Sequence, residues 1–483
     1  MMQVHGNYIA GDWDVSGNTI ENRNPSDLSD VIGHYAQADQ AALNRALDAA
    51  RDAQPKWAAM GLEARQNVLN AIGNEMMARA EELGTLLSRE EGKPLAEGKG
   101  EVFRAGQFFT YYAAEMLRQL GENADSTRPG IEVDMRREPI GTVAIISPWN
   151  FPTATAAWKI APALAYGNAV IWKPANLVPG SAVALAEIIS RQTAMPAGTF
   201  NLVMGPGGAI GEALAASPAI NAISFTGSVA VGKRIASVAI GNLTKLQMEM
   251  GSKNAMVVLD DCDLDLAVTH ALGGAFGGTG QKCTASSRLI VQSGVHDAFV
   301  EKLVAGAKAL KVDHALLPGT QIGPVVSASQ LAGNLDYVEL AAQEGGEVLC
   351  GGTRLTRATE GYYQAPCVVS GTENSWRINR EEMFAPIACV QKVDSYEDAL
   401  ARVNDTNFGL TAGIMTRSLA HANHFRRNAR TGCVMVNLPT AGTDYHVAFG
   451  GRGDSSYGPR EQGPYAAEFY TVMKTAYINA GAI

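Results

Sequence analysis

The sequence lacks the residue patterns of a metal-binding or disulfide-bonded protein. Its six cysteines are scattered, with no CxxC pair and no cluster of cysteine and histidine at metal-ligand spacing: Cys262, Cys283, Cys350, Cys367, Cys389 and Cys433. In a chain of 483 residues, such scattered cysteines are typical of reduced thiols in a cytoplasm. We therefore expect a cytoplasmic protein without a bound metal.

Long apolar runs and an excess of positive charge are also missing. No apolar run approaches the roughly 18 residues that are needed to span a bilayer. The N-terminal segment has no basic stretch followed by an apolar one, so we expect no secretory signal. The formal net charge of −9 argues against a nucleic-acid partner, which would require a basic face. We expect a globular protein that binds neither a membrane nor a nucleic acid.

Size and composition predict a multidomain globular chain. A chain of 483 residues exceeds what one hydrophobic core usually serves, so two or three domains are expected. Hydrophobic residues make up 46% and charged residues 18%, a balance typical of globular proteins. The 51 glycines follow no collagen-like period and indicate many tight turns between strands and helices.

Hydrophobic periodicity predicts an α/β architecture. Segments 39–53 and 63–92 repeat apolar residues at helical spacing, and Asp39 is a suitable N-cap for the first. Farther along, short apolar runs alternate with helix-length segments such as 179–192; the runs cover residues 142–147, 168–173, 200–205, 222–227 and 255–260. Apolar strands alternating with helices predict a parallel sheet that is covered on both faces. Runs at 288–293 and 433–438, with a helical pattern at 296–310, predict a second α/β domain.

The segment from Gly121 to Gly141 differs from its surroundings. It is polar, contains proline and glycine, and alternates Ile131, Val133 and Met135, which is the pattern of a β-hairpin. We expect this segment to leave the globular body as an arm that pairs with another subunit.

The segment GSVAVGKR, residues 227–234, begins like a nucleoside triphosphate loop. The match fails because Arg234 stands where that loop needs Ser or Thr to hold magnesium. A glycine turn between a strand and a helix still offers free N–H groups and a helix dipole to an anion, and Ser228 adds a hydroxyl. The segment alone therefore fits a pyrophosphate site or an ordinary glycine-rich turn.

Several polar residues stand where catalysis or ligand binding is plausible. Cys283 lies in FGGTGQKCTASSR among glycines, hydroxyls and two cations, a setting that suits a thiolate nucleophile. Asn150 follows a predicted strand between two aromatics. Glu249 lies between methionines, an apolar setting that should raise its pKa and make it a general base. Glu382 and Phe384 stand in REEMFAPI. Each also has a structural interpretation: a packing thiol, a turn former, a solvated charge at a strand end, or the tip of an acidic run.

Seven segments, taken together and in order, resemble the aldehyde dehydrogenase superfamily over essentially the full chain. They are SPWNFP, WKPANLVP, FTGSVAVG, MEMGSKN, GQKCTASSR, EEMFAPI and FGGRGDSSYGPREQG. The resemblance implies an α/β fold with a Rossmann-like NAD(P)-binding domain over residues 1–120 and 141–250 and a second α/β catalytic domain over 251–460. It also implies a small β oligomerisation arm, formed by 121–140 and 461–483, in a homodimer or homotetramer.

The resemblance also implies a role for each matching residue. Cys283 would be the nucleophile, Asn150 the oxyanion donor and Glu249 the general base. Contacts to NAD or NADP are implied for Trp149, Lys173, Asn176, Gly227, Ser228, Gly232, Glu382 and Phe384. Among these, Lys173 would contact the adenosine ribose, the glycine turn with Ser228 would hold pyrophosphate, and Glu382 and Phe384 would hold the nicotinamide end.

The implied reaction agrees with the chemistry of these groups. Attack of the Cys283 thiolate on an aldehyde gives an oxyanion, which the Cys283 N–H and the Asn150 amide can stabilise. The adduct sends a hydride to the cofactor and leaves a thioester, and Glu249 then activates water to release the acid. An acylating or ester-hydrolysing relative and a catalytically inactive homologue are the other hypotheses. The presence of Glu249 favours hydrolysis of the thioester. Because Cys283, Glu249 and Asn150 are all present, a catalytically inactive homologue is disfavoured.

Four segments look most like bacterial 2-oxoglutarate semialdehyde (2,5-dioxopentanoate) dehydrogenases: WKIAPALAYGNAV, GQKCTASSRLIV, GYYQAP and PTAGTDYHVAFGGRGDSSYGPREQG. The succinate semialdehyde branch usually anchors its substrate carboxylate with two arginines, and Trp158 and Gly278 stand at those positions here. Succinate semialdehyde or another short aldehyde stays the alternative substrate. Ser252, Ala385 and Asp454 depart from the usual family pattern.

Asn176 bears on the choice of cofactor. NAD-preferring relatives commonly carry glutamate three residues after the lysine that matches Lys173, where the carboxylate would repel a 2′-phosphate. Asn176 is neutral and can donate a hydrogen bond. We therefore expect NADP to be accepted at least comparably with NAD.

Overall fold

The computed structural model describes residues 3–118, 121–479 and 481. Within them the helices are α1 Gln40–Ala59, α2 Leu62–Ala78, α3 Ala80–Glu91, α4 Leu95–Glu115, α5 Ala154–Ala165, α6 Pro179–Ser190, α7 Glu212–Ala216, α8 Val229–Ala239, α9 Leu264–Phe276, α10 His296–Ala309, α11 Ala328–Gln343, α12 Arg377–Arg380, α13 Tyr396–Asn404, α14 Leu419–Asn428 and α15 Ala466–Tyr470.

The strands belong to four sheets. They are β1 Val4–His5, β2 Asn7–Ile9, β3 Asp12–Asp14, β4 Thr19–Asn24, β5 Asp27–Ala36, β6 Gly121–Asp125, β7 Ile131–Pro139, β8 Thr142–Ile146, β9 Ala169–Lys173, β10 Phe200–Leu202, β11 Ala222–Thr226, β12 Lys245–Glu249, β13 Asn254–Val258, β14 Ser286–Gln292, β15 Glu347–Cys350, β16 Cys367–Ser370, β17 Ile387–Val393, β18 Thr411–Met415, β19 Cys433–Val436, β20 Ser456–Tyr457 and β21 Thr471–Asn479. β1, β5 and β4 form a small separate sheet.

An eight-stranded sheet forms the first large layer, in the order β20-β12-β11-β8-β9-β10-β2-β3. Its five central strands run parallel, and antiparallel strands close both edges. Successive residues of β8 face two different cores: Val143 and Ile145 pack on one side, and Ala144 and Ile146 on the other. The predicted parallel sheet covered on both faces is confirmed.

A seven-stranded sheet forms the second layer, in the order β15-β16-β17-β14-β13-β18-β19. All its pairs are parallel except the edge pair of β15 with β16. It too lies between two cores, with Met256 and Val258 in one and Ala255 and Val257 in the other. The first sheet receives β12, which ends at Glu249, and the second receives β13, which begins at Asn254. The predicted domain boundary between these strands stays a prediction.

The polar hairpin predicted after Gly121 is present as β6 and β7. A third strand, β21, pairs antiparallel with β7 along nine residues. Within the predicted arm segment 461–483, however, Ala466–Tyr470 is a helix whose side chains join the core beside the first sheet. Residues 1–2, 119–120, 480 and 482–483 of the predicted domains lie outside the described residues.

Local signals account for several helix ends. The Asp39 side chain accepts a hydrogen bond from the Ala42 N–H at 2.8 Å, so the predicted N-cap of α1 is confirmed. The helical segment predicted over 63–92 is divided at Arg79, whose backbone leaves helical geometry. The Arg79 guanidinium there pairs with Glu75 and Glu82.

Two negative findings hold for the described residues. No helix among them is both long enough and apolar enough to cross a membrane. In the same part of the chain, no three or more His, Cys, Asp or Glu side chains are grouped to hold a metal ion.

Candidate active site

The carboxyl ends of four parallel strands meet at one edge of the first sheet. The loop after β8 carries Asn150, β9 ends at Lys173, β11 leads into Gly227, and β12 ends at Glu249. Parallel strands in an open α/β sheet present ligand sites at this edge. The sequence positions expected to bind cofactor and activate the nucleophile therefore converge through the topology of the sheet.

Cys283 lies in the loop between α9 and β14. The loop turns sharply, with left-handed backbone at Gly278, Thr279 and Gly280. A side chain on Gly280 would overlap the Ala385 carbonyl group, so glycine is required there. The Cys283 carbonyl oxygen accepts a hydrogen bond at 2.7 Å from the side-chain amide of Asn254, at the start of β13. Asn254 was not among the predicted site residues, although it is the last residue of the segment MEMGSKN.

The surroundings of the Cys283 thiol do not favour its anionic form. Loss of solvent contact, followed by the nearby carboxyls of Glu249 and Glu382, raises the pKa of the thiol to about 12. The two neighbouring cations are engaged elsewhere: Lys282 pairs with Glu97 at 3.0 Å, and Arg288 is buried against backbone carbonyls. The two cations that were expected to favour a thiolate at Cys283 therefore do not do so, because Lys282 points into an ion pair and Arg288 into backbone contacts.

Asn150 is buried and its side chain reaches the cysteine loop. Its Nδ2 donates to the backbone carbonyl of Gln281 at 2.9 Å, two residues before Cys283. A side-chain amide has two N–H donors, so one remains for a ligand. Lys93 Nζ donates to the Asn150 carbonyl oxygen at 2.6 Å and fixes the backbone of the same residue. Asn150 is thus fastened to the cysteine loop and lines the cavity that Cys283 also borders.

Glu249 is the last residue of β12 and is only 3% exposed. Burial raises its pKa well above the ordinary value, and the carboxyl of Glu461 raises it further. Ser456 Oγ donates to Glu249 Oε2 at 2.6 Å. The predicted rise in pKa is confirmed, with a second buried carboxyl contributing beside the apolar setting. Burial also rules out the interpretation of Glu249 as a solvated charge at a strand end.

A buried ion pair between Lys159 and Glu461 lies behind Glu249. Lys159 Nζ also donates to Ser224 Oγ at 2.9 Å, and both charged side chains are almost completely buried. Burial raises the pKa of Glu461, and Lys159 opposes that rise. This pair was not predicted from the sequence. Its one signal was a lone charge, Lys159, inside the apolar helix α5.

A cavity of about 400 Å³ opens between the two sheets. Predicted residues on its wall are Trp149, Asn150, Gly227, Ser228, Glu249, Cys283, Glu382 and Phe384. Gly227 and Ser228 lead into α8, and the Ser228 hydroxyl accepts from the Val231 N–H at 3.4 Å as the N-cap. This helix start can receive the phosphate groups of a dinucleotide.

Glu382 and Phe384 form the opposite wall of that cavity. Glu382 Oε1 accepts from the Ser252 N–H at 2.8 Å, and burial raises the pKa of this carboxyl to about 7. A side chain at Gly251 would overlap the Glu382 carboxyl, so glycine lets the strand end approach it. Phe384 has a left-handed backbone, with φ of 55°, and meets the Trp149 ring edge-on at 5.4 Å.

Three of the predicted cofactor-binding residues do not line the first cavity: Lys173, Asn176 and Gly232. Lys173 is buried at the end of β9, where burial lowers its pKa to about 8, and its Nζ donates to the Pro174 carbonyl at 3.0 Å. Asn176 is exposed in the following loop. Gly232 lies inside α8, where a side chain would overlap Met250, so its absence of a side chain serves helix packing.

A second cavity, of about 320 Å³, meets the first one at Cys283. Its wall includes residues from α4, α5, the cysteine loop and the segment 441–462. The aromatic rings of Phe151, Trp158 and Phe449 border both cavities. The Cys283 thiol thus stands between a large cavity with a helix N-terminus and a smaller one with aromatic walls.

Comparison with known proteins identifies the arrangement. A model of the aldehyde dehydrogenase family matches residues 13–476. The chain belongs to the aldehyde dehydrogenase family. The resemblance seen in the sequence is confirmed over nearly the whole chain.

Full-length relatives refine the placement within the aldehyde dehydrogenases. The chain is 40% identical to the alpha-ketoglutaric semialdehyde dehydrogenase of Bacillus subtilis, over 98% of this chain and 97% of that protein. It is 37% identical to the alpha-ketoglutarate semialdehyde dehydrogenase of Haloferax volcanii, over 98% of each. Betaine aldehyde dehydrogenase of Staphylococcus aureus, solved in complex with NAD+, superposes with a TM-score of 0.96 and 30% identity, covering 100% of this chain and 96% of that one. The predicted aldehyde dehydrogenase fold is confirmed.

Proposed function

We propose that the protein oxidises 2-oxoglutarate semialdehyde to 2-oxoglutarate with NAD or NADP, through a thioester on Cys283. The position of Cys283, where the two cavities meet between Asn150 and Glu249, carries the proposal for the chemistry. The substrate is proposed from the names of the two relatives at 40% and 37% identity. Succinate semialdehyde is the alternative.

The first step forms a bond between the Cys283 sulfur and the aldehyde carbon. Because burial keeps the thiol protonated, its proton has to leave as the sulfur attacks. Glu249 is one of the two buried carboxyls that act on that thiol, and its carboxylate can accept the proton at a pH above its own raised pKa. This role would assist the attack and comes in addition to the role of Glu249 in releasing the acid.

The attack turns the aldehyde oxygen into an oxyanion beside two donors. The Cys283 backbone N–H and the second N–H of Asn150 Nδ2 supply hydrogen bonds that strengthen as the charge develops. Loss of one such donor typically costs about 10²–10³ in rate. Lys93 and the Gln281 carbonyl keep Asn150 in place before the reaction, so little reorganisation is needed.

The first cavity would receive the pyrophosphate and the nicotinamide end of a dinucleotide. Gly227 and Ser228 would hold the pyrophosphate at the start of α8, and Glu382 with Phe384 would hold the nicotinamide end. Lys173 and Asn176, at the end of β9, would contact the adenosine ribose, where the neutral Asn176 supports acceptance of NADP. A bound nicotinamide would supply the acceptor for the hydride that leaves the substrate carbon. Glu249 then removes a proton from water, which attacks the remaining thioester and frees the acid and the Cys283 thiol.

We also propose a cytoplasmic homodimer or homotetramer. All six cysteines are unpaired, which fits a reducing compartment. The edge strand β21 exposes several apolar side chains and an unpaired backbone edge, at Val472, Met473, Tyr477 and Ile478. Such an edge is a ready template for pairing with a second copy. Light scattering of the purified protein measures the state directly.

A panel of aldehydes tests the substrate. Formation of reduced cofactor is followed with 2-oxoglutarate semialdehyde, glutarate semialdehyde and succinate semialdehyde, each with NAD and with NADP. We expect the highest kcat/KM with 2-oxoglutarate semialdehyde, and 2-oxoglutarate as the product by mass spectrometry. A higher kcat/KM with succinate semialdehyde would favour the alternative, and no oxidation of any aldehyde would overturn the proposal.

A further inference from the structure

One face of helix α4 forms a wall of the second cavity. The residues on this wall recur at intervals of three and four along the helix: Glu97, Gly100, Glu101, Arg104 and Phe108. Such spacing places side chains on one side of a helix. The wall therefore brings two acidic side chains and one guanidinium to the cavity that Cys283 borders.

The two acidic side chains have cations of their own. Glu97 pairs with Lys282 at 3.0 Å, and Glu101 pairs with the buried Lys93 at 2.6 Å. Arg104 differs, because no ion pair or hydrogen bond formed within the described residues includes its guanidinium. It lies over the ring of Tyr445, with 5.1 Å between the guanidinium carbon and the ring centroid. Arg104 thus carries a positive charge on the cavity wall that no carboxylate of the described chain neutralises.

A second unsatisfied polar side chain borders the same cavity. Gln462 is 1% exposed, its Oε1 has no hydrogen-bond partner in the described residues, and its Nε2, the group that could donate to a ligand oxygen, donates to none of them. Its backbone is held in the left-handed region, with φ of 64°. A buried amide without partners costs free energy unless a ligand satisfies it. This strained residue lies on the wall of the cavity that Cys283 also borders, so its side chain is suited to bind a ligand that enters the cavity.

We propose that Arg104 binds the carboxylate of the aldehyde substrate and that Gln462 donates to its 2-oxo group. A planar guanidinium offers paired N–H donors that match a carboxylate, and stacking on Tyr445 restricts its orientation. The aromatic rings of Phe151, Trp158 and Phe449 then contact the methylene carbons between the acid and the aldehyde. Trp158 and Gly278, at the positions of the two carboxylate-binding arginines of the succinate semialdehyde branch, carry no charge. The inference rests on the proposed function and names the residues that select its substrate.

Substitution of Arg104 with a matched control tests the anchor. Arg104→Met keeps the length of the side chain and removes its charge, whereas Arg104→Lys keeps the charge and removes the paired donors. Lys99→Met is the control. Lys99 is a cation on the same helix, but it pairs with Glu81 and does not line the cavity. The kcat/KM of each variant is measured with glutarate semialdehyde, 2-oxoglutarate semialdehyde and the uncharged aldehyde pentanal.

We expect Arg104→Met to lower kcat/KM for both acids by at least about tenfold, equivalent to about 1.4 kcal/mol, mainly through KM. The loss with pentanal should be several-fold smaller, Arg104→Lys should lie between the wild type and Arg104→Met, and Lys99→Met should match the wild type with all three aldehydes. Equal losses with pentanal and the acids would assign Arg104 a structural role and overturn the anchor. An unchanged kcat/KM for the acids would overturn it as well.

Gln462→Met tests the contact to the 2-oxo group. The loss should be larger with 2-oxoglutarate semialdehyde than with glutarate semialdehyde, which has the same chain without that oxygen. Equal losses with the two acids would remove Gln462 from the proposal. The proposed function fails separately, if the wild type prefers an acid without the 2-oxo group while Arg104 still separates acids from pentanal.

Discussion

Lys93 Nζ donates a hydrogen bond of 2.6 Å to the backbone carbonyl oxygen of Asn150. The same nitrogen pairs with Glu101 at 2.6 Å, and Glu101 Oε1 accepts from the Thr153 N–H and hydroxyl, each at 2.9 Å. Asn150 and the end of its loop at Thr153 are therefore both fastened to one buried ion pair. The position of Asn150 depends on α4 and the segment before it as much as on its own strand.

Removal of Lys93 should destabilise the protein strongly. Lys93→Met leaves the Glu101 carboxylate buried without its cation, and breaking such a pair typically costs about 3–5 kcal/mol. The double variant Lys93→Met/Glu101→Gln removes both charges and should recover part of the loss. Thermal unfolding midpoints of the wild type, the single variant and the double variant measure this. A double variant less stable than Lys93→Met would contradict the explanation by an unpaired charge.

Cys283→Ala should abolish aldehyde oxidation and leave cofactor binding nearly intact. The cofactor is proposed to be held by the helix start at Gly227 and by Glu382, which do not depend on the thiol. Oxidation rates and cofactor titration by protein fluorescence give the two readouts. Loss of a single hydrogen-bond donor typically lowers the rate by about 10²–10³. A variant that keeps more than about a hundredth of the wild-type activity would therefore show that Cys283 is not the nucleophile.

Glu249→Gln should impair release of the acid more than hydride transfer. The amide cannot take a proton from water, so the thioester on Cys283 should accumulate. We expect a burst of roughly one reduced cofactor per active site, then slow turnover, with the acyl group visible by intact mass. No burst and no adduct would mean that the attack of Cys283 cannot proceed without Glu249, and release of the acid would then not be its main role.

Glu382 should make stability depend on pH. Its pKa is raised to about 7 by burial, above the ordinary value of about 4.3. A raised carboxyl pKa contributes stability that is complete below the ordinary value and is lost as pH rises through about 7. Glu382→Gln mimics the protonated side chain, so the variant should gain stability relative to the wild type between about pH 4.3 and 7. Unfolding midpoints of the cofactor-free proteins from pH 5 to 8 that run parallel would refute it.

Asn176→Glu should separate the two cofactors. A carboxylate near a 2′-phosphate would place two negative charges close together at an exposed site, where the repulsion is on the order of a few kcal/mol or less. We expect NADP use to fall by roughly tenfold or more, about 1.4 kcal/mol, with NAD use spared. The kcat/KM for both cofactors in the wild type and the variant provides the measurement. A wild type that already rejects NADP would contradict the premise that the neutral Asn176 allows NADP to bind.

Strand placement and several site residues could be predicted from the sequence, because the relevant signals are local. The apolar runs that became β8, β9, β10 and β11 end at polar or glycine residues, and parallel packing brings such ends to one edge. The methionines beside Glu249 correctly indicated a raised pKa. The interruption at Arg79 was not visible, because the apolar spacing continues through it and the side-chain pairs with Glu75 and Glu82 accompany the break.

The sequence by itself determined the alternation of strands and helices, the hairpin after Gly121 and the motifs that placed the chain in its family. Only the tertiary structure decided the charge environment of Cys283, since Lys282 is neutralised by Glu97 from another helix. It likewise paired Lys159 with Glu461, which stand 302 positions apart. It also placed Arg104 on a cavity wall without an ion-pair partner among the described residues. Local periodicity fixes which face of an element is apolar. Which charges meet across elements depends on packing, and burial then sets their pKa values and their availability to a substrate.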